Sequence, residues 1–296
     1  VDLVGSTHYK QFYADKGDNA QWLRFFELFF TEFPERFAAA LQHRDYTVSM
    51  IDSIWKTLGD EILFRFVIKK YRQTETIILG FLESIQAFQT FIQTKALNAE
   101  VDIAVKGAAW ISEFPVQNAK VASIRPTDYI GPSIDVGFRI AKFADKRKLV
   151  VSVEVARLLL ERTNGLRFYY DGEVPLKGAF GGKPYPIIWI DALPPDNGTL
   201  ESRLREKTDN NNLIQYCDTL MQSDCNTIKM PFFPEGEDFN TPYPGYESSL
   251  EEALLIQARK TIPPDLDITE GQPLTPSEAT DALFSRFEET LTKKEE

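Results

Sequence analysis

Phe26, Phe30, Phe33, Phe37 and Leu41 recur at three- and four-residue intervals, placing five large apolar side chains on one face of a long helix. A helix striped in this way has to bury its stripe against another layer. A second stripe, Ile77, Phe81, Ile85, Phe88 and Ile92, repeats the spacing further along. Between the two lies Val48 to Ile68, whose β-branched and aromatic residues read as two strands turning at Gly59-Asp60. Two long helices alternating with strands confine the chain to an α+β arrangement in which one sheet receives both stripes.

The remaining elements follow the same signals. Val1 to Val4 is a strand that ends in a tight turn at Gly5-Ser6-Thr7, and because it already reads as strand at Val1, a few residues are expected upstream. Asn19 caps the first long helix, predicted from Gln21 to about His43 and bent or interrupted at Pro34. The second long helix is predicted from about Gln73 to Ala96, then a strand from Val101 to Trp110. A helix from Pro132 to Ala144, a strand at Leu149 to Val153 and a short helix at Glu154 to Arg162 come next, with final strands at Leu166 to Leu176 and Pro184 to Ile190. The order β-α-β-β-α-β, extended by α-β-α-β-β, predicts a ferredoxin-like α+β sandwich. After Ala192 the composition turns to Pro and Asn, with helices expected only at Ser248 to Thr261 and Pro276 to Leu291. Residues 1–192 are therefore read as one domain, and 193–296 as an acidic, loop-rich extension without its own core.

Charge divides at the same place. The 296 residues carry a net charge of −11, but residues 1–192 carry 24 Lys and Arg against 23 Asp and Glu, and residues 193–296 carry 9 against 21. An acidic chain without a long basic run is a poor ligand for nucleic acid. No run approaches the ~18 apolar residues of a membrane span, and no signal-peptide pattern occurs. Cys217 and Cys225, with seven residues between them, form no CxxC motif, which points to a reducing, cytoplasmic setting without a disulfide framework or zinc site. With His8 and His43 the only histidines, any catalysis falls to carboxylates, Lys, Arg and metal.

Four short segments carry the candidate chemistry. They are Val-Asp-Leu-Val-Gly-Ser-Thr at 1–7, Lys-Thr-Leu-Gly-Asp-Glu at 56–61, Asp-Tyr-Ile-Gly-Pro-Ser-Ile-Asp-Val-Gly-Phe-Arg at 128–139 and Leu-Lys-Gly at 176–178. Each has an ordinary explanation by itself. Asp2 suits a turn or helix cap, Asp60 a hairpin, and Lys56 and Lys177 solvated strand edges. In this order, over this strand and helix pattern, the series resembles the class III nucleotidyl cyclase catalytic domain from Val1 to about Asp191.

That resemblance implies a site residue by residue. Asp2 and Asp60, with the backbone of Leu3, take the positions that hold two divalent metal ions, Mn²⁺ or Mg²⁺. Such ions acidify an attacking 3′-hydroxyl and neutralise phosphate oxygens. The backbone from Leu3 through Val4, Gly5, Ser6 and Thr7 would cradle phosphates at a helix start. Arg139 matches the arginine that stabilises charge on the α-phosphate, and Lys177 the lysine that holds the terminal phosphates. Lys56 and Asp128 match the positions that read adenine in adenylyl cyclases. By chemistry alone, a lysine donor and a carboxylate acceptor suit a ring acceptor beside an exocyclic amine, an edge that adenine and cytosine share and guanine and uracil lack.

Two departures refine the resemblance. Asp135 stands where the family usually has asparagine, so it should be protonated, paired with Arg139 or a lysine, or facing a metal; otherwise it is a first-turn aspartate favoured by the helix dipole. Val-Lys-Gly-Ala-Ala-Trp at 105–110 replaces a Gly-x-His-x-Gly-like strand. Together with Gly-Pro-Ser-Ile-Asp-Val-Gly-Phe-Arg at 131–139, these look like the bacterial antiphage Pycsar pyrimidine cyclases. That implies a homodimer with two interface sites, a nucleoside triphosphate substrate (UTP favoured over CTP), and a cyclic product read by a separate effector. Asp128 opposes uracil, since it would face the O4 with like partial charge. An ordinary adenylate cyclase and a degenerate cyclase-fold nucleotide sensor are the alternatives.

Overall fold

The computed structural model describes residues 1–94, 101–121, 127–161, 163, 165–192, 208–222 and 228–260. Its frame is a seven-stranded sheet built from β1 (Asp2–Val4), β2 (Ile54–Leu58), β3 (Glu61–Phe64), β4 (Ala104–Ala109), β7 (Lys148–Val151), β8 (Phe168–Pro175) and β9 (Pro184–Asp191), in the order β2-β3-β1-β4-β7-β9-β8. The block β2-β3-β1-β4 is antiparallel throughout. This is the ferredoxin-like order expected from the sequence, with β7, β9 and β8 added on the β4 side through one parallel pairing. A separate ribbon pairs β5 (Ala119–Val121) with β6 (Asp128–Ile130).

Helix α1 (Ser6–Asp15) leaves β1 directly, and α2 (Asn19–Gln42) follows. Asp18 rather than Asn19 caps α2, its carboxylate accepting the Gln21 N–H at 3.2 Å. The helix runs on through Pro34, which is buried, so the expected interruption does not occur. After the short α3 (Met50–Ser53) and the β2-β3 hairpin comes α4 (Tyr71–Thr94). The two aromatic stripes meet here: Phe33 lies 6.0 Å from Phe81 and 5.8 Å from Phe88 between ring centroids, and Phe37 lies 5.4 Å from Phe81. Both stripes belong to the main core, which continues through Leu3, Val105, Leu149 and Ile188 of the sheet.

Beyond β6, α5 (Pro132–Ile140) leads through a 3₁₀ turn to β7, and α6 (Val153–Leu160) packs behind the sheet. The sequence reading missed α7 (Asn210–Gln222), which lies in the acidic extension. Its Leu213, Cys217 and Met221 are buried in the main core. Arg157 of α6 donates to Asp218 at 2.6 Å, and Tyr216 donates to Glu173 of β8. The extension thus adds a helix to the domain's core. Burial pushes the Cys217 thiol up to about 12, so it is a packed apolar group at neutral pH. The expected helix near 248–261 is α8 (Tyr246–Lys260); the one at 276–291 lies outside the described residues, as does Cys225. Among the described residues no helix is long and apolar enough to cross a membrane.

Truncating a fully buried aromatic between two helices leaves a void that neighbours cannot fill. Phe33→Ala should cost about 3–5 kcal/mol. Ile51→Ala, at a side chain 85% exposed, should cost less than about 0.5 kcal/mol. Urea unfolding of both variants measures the difference.

Candidate active site

Strand β1 places the first candidates. Asp2 pairs in register with Glu61 of β3 on one side and with Lys106 of β4 on the other. Directly paired antiparallel residues point to the same face, so Glu61, Asp2 and Lys106 form a row across three strands. Lys106 Nζ lies 3.0 Å from Asp2 Oδ2, and Asp2 Oδ1 accepts the Leu3 N–H at 2.8 Å. Burial raises the Glu61 carboxyl above its ordinary value, with the neighbouring Asp2 and Asp60 adding to the rise. Asp60 itself stands, half-buried, in the β2-β3 turn next to Glu61.

After Val4 the chain turns at Gly5, whose φ of +82° lies in the left-handed region. A Cβ there would also come 2.6 Å from the Asp102 carbonyl oxygen, so the turn admits little else. Helix α1 begins at once, with Ser6 buried and Thr7 exposed in its first turn. First-turn N–H groups have no partners inside a helix, and here they lie immediately beyond the Asp2 strand.

Lys56 and Asp128 meet although they are 72 residues apart: Lys56 Nζ donates to Asp128 Oδ1 at 2.7 Å, and the same oxygen accepts the Tyr129 N–H at 2.9 Å. The lysine hydrogen bond, more than any other cause, holds the Asp128 carboxyl below its ordinary range. A β-bulge positions the pair. Register passes from Ile54↔Phe64 to Lys56↔Leu63, leaving Trp55 as the extra residue. Lys56 Nζ consequently lies 4.2 Å from the centre of the Trp55 ring and 5.9 Å from that of Phe138. Tyr129 and Phe138 pack on Trp55 at 5.3 and 6.0 Å, giving the pair an aromatic surround.

Arg139 and Lys177 also come together, 38 residues apart, through Arg139 Nε donating to the Lys177 carbonyl at 2.7 Å. The Lys177 side chain is exposed. Helix α5 carries Arg139 and is seated by residues the sequence reading passed over. Ser133 donates to Asn118 Oδ1 at 2.9 Å, and Asn118 Nδ2 donates to the Glu113 carbonyl at 2.8 Å. Gly137 lies flat on Trp110: a Cβ there would fall 2.2 Å from the indole ring. Asp135 sits exposed in the first turn of α5 and, among the described residues, forms no ion pair with Arg139 or a lysine. Of the readings offered for it, the first-turn aspartate favoured by the helix dipole fits this placement.

Among the described residues no three His, Cys, Asp or Glu side chains cluster as metal ligands. Asp2, with Glu61 beside it and Asp60 in the adjoining turn, nevertheless supplies oxygen donors of the kind a hard cation takes. The Lys106 ammonium, 3.0 Å from Asp2, marks where positive charge already settles. A cavity of about 690 Å³ opens beside this row. It is lined by Leu63, Phe64, Ala108 and Ala109 together with Phe37 and Phe81. Of the candidate residues only Asp2 borders it, and its mostly apolar lining does not suit a triphosphate.

No family model matches the chain, and no curated protein matches it. Among solved structures it is similar to the adenylyl cyclase CyaB from P. aeruginosa, at 11% identity over 64% of this chain and 89% of that one, with a TM-score of 0.42. A likeness so distant leaves the chemistry to be read from this chain's own residues.

The Lys56–Asp128 contact has a measurable signature. A carboxyl with a lowered folded-state pKa stabilises the fold above the ordinary carboxylate range and loses that contribution as pH falls through the lowered value. In a carbon-detected NMR titration, Lys56→Met should move the Asp128 midpoint upward toward its ordinary value. An unmoved midpoint would show that the lysine does not hold it.

Proposed function

We propose that the chain is a class III-like nucleotidyl cyclase, a phosphorus–oxygen lyase converting a pyrimidine nucleoside triphosphate, UTP before CTP, to the 3′,5′-cyclic monophosphate and pyrophosphate. The observation that carries the reading is the assembly of distant motif residues into two pairs, Lys56 with Asp128 and Arg139 with Lys177. Unrelated surface residues have no reason to gather by motif.

The two pairs and the β1 row divide the work. Asp2, Asp60 and the Leu3 carbonyl would hold the divalent ions, Mn²⁺ or Mg²⁺. Bound there, such ions would acidify a 3′-hydroxyl and neutralise phosphate charge. The backbone from Val4 through Gly5, Ser6 and Thr7 takes phosphate oxygens at the start of α1. Arg139 spreads its planar cation against the charge that develops on the α-phosphate as the ring closes. Lys177 holds the departing pyrophosphate. Asp135, one helical turn before Arg139, serves the helix start and takes no part in phosphate binding. With the resemblance, we read the protein as a homodimer whose two sites each combine one protomer's row with its partner's pairs.

The ion pair also eases the conflict over uracil. Asp128 presents its acceptor beside the Lys56 ammonium, so the pair reads any edge with a donor next to an acceptor. Uracil N3–H with O4 meets this condition as well as the amine edge of cytosine or adenine. The bulk of Trp55, Tyr129 and Phe138 around the pair favours the smaller, pyrimidine ring. With the resemblance to Pycsar cyclases, this supports a product that acts as a second messenger on a separate effector in antiphage defence.

Purified protein incubated with Mn²⁺ and each of the four nucleoside triphosphates should yield cyclic UMP, or cyclic CMP, by mass spectrometry. No product from any triphosphate would overturn the enzyme reading in favour of a nucleotide sensor, and cyclic AMP alone would replace the pyrimidine assignment with adenylate cyclase. Arg139→Ala should slow turnover about 100-fold or more. Asp60→Ala should abolish it, and activity within about tenfold of the unaltered protein would remove Asp60 from the metal site.

A further inference from the structure

Lys106 belongs to the segment Val-Lys-Gly-Ala-Ala-Trp and has no place in the chemistry above. The fold nonetheless holds it firmly in the site. Its cross-strand partner is Asp2, its ammonium lies 3.0 Å from Asp2 Oδ2, and both side chains are mostly covered, at 24% and 31% exposed. The following residue, Gly107, sits so close under α4 that a Cβ would come 2.8 Å from the Phe81 ring, which fixes where this part of β4 can lie. On the far side of Asp2 stands Glu61, with its carboxyl in the same row. One built-in cation is therefore set against an acidic group whose expected ligand is itself a cation.

We propose that Lys106 is a functional residue of this site, competing with a divalent cation for Asp2 and turning to the triphosphate once it is displaced. This rests on the cyclase reading, which puts the metal at Asp2. The competition follows from geometry. Asp2 Oδ1 is occupied by the Leu3 N–H, so Oδ2 is the oxygen that offers a further cation its lone pairs, and Lys106 already takes it. A cation arriving without nucleotide has to displace the ammonium and leave it beside new positive charge. With a polyphosphate present, the ammonium has phosphate oxygens to bind instead. Metal and nucleotide binding then assist each other, and by linkage the assistance is equal in both directions.

Two binding measurements test this without reference to turnover. Mn²⁺ titrated into the nucleotide-free protein and followed by electron paramagnetic resonance should bind about five- to tenfold more tightly to Lys106→Met than to the unaltered chain. A fluorescent, non-hydrolysable UTP analogue titrated in EDTA should bind Lys106→Met about five- to tenfold more weakly, and Lys106→Arg, which keeps the charge, should restore most of that affinity. A lysine that merely supported the fold would weaken both ligands together, and Lys106→Gln, a polar replacement, guards against a variant that fails to fold. Unchanged or weaker Mn²⁺ binding in folded Lys106→Met, in a protein that still makes cyclic nucleotide, would overturn the role of Lys106 and leave the cyclase reading standing. Absence of Mn²⁺ binding in both proteins would overturn the two together.

Discussion

Strand β1 is three residues long, yet the strands on both sides of it take their places from its register. Shifting a strand by one residue sends each of its side chains to the opposite face. The alternation at β1 is therefore decisive. Leu3 goes into the core beneath α2 and α4, and Asp2 goes to the other face between Glu61 and Lys106. The turn at Gly5 and the start of α1 follow within the next few residues, so the proposed metal and phosphate positions hang from one short strand. The aromatic layer between α2 and α4 gives that strand its depth, because Leu3 shares a core with Phe33, Phe81 and Phe88.

The remaining candidates reach the site by other routes, each with its own positioning device. A bulge at Trp55 aims Lys56 at Asp128, the first residue of β6 in the β5-β6 ribbon. The seating of Gly137 on Trp110, with Asn118 against Ser133, sets the axis along which α5 delivers Arg139. The positive groups Lys56, Lys106, Arg139 and Lys177 thus all belong to the nearly neutral residues 1–192, while the excess acid lies further along the chain. The overall charge of −11 describes the extension far better than it describes the site.

Much of this was legible from residue patterns. The 3.6-residue stripes specified both long helices and the layer they share, and alternation around Gly59-Asp60 specified the hairpin. The motif series named the residues of both pairs, though only Lys56 and Asp128 as partners. What escaped has a common cause: partners that only tertiary structure creates. Lys106 reads as a departure from a family pattern until β4 is laid beside β1, and Glu61 reads as the residue after Asp60 until the register puts it next to Asp2. Helix α7 was missed because Asn210-Asn211-Asn212 resembles a loop, although its buried Leu213, Cys217 and Met221 recur at helical spacing. Asp18 took the cap from Asn19 because either residue type suits that position, and only the local geometry decides.

The central claim is that the Asp2 row and the two distant pairs close on one triphosphate across a pair of protomers. Crystals grown with Mn²⁺ and a non-hydrolysable UTP analogue, with anomalous data collected at the manganese edge, address it most directly. The account predicts manganese bound by Asp2 and Asp60 of one protomer, the phosphates at Gly5 to Thr7, and the base against Lys56 and Asp128 of the partner. Manganese elsewhere, or the analogue bound away from Asp128 and Arg139, would contradict it.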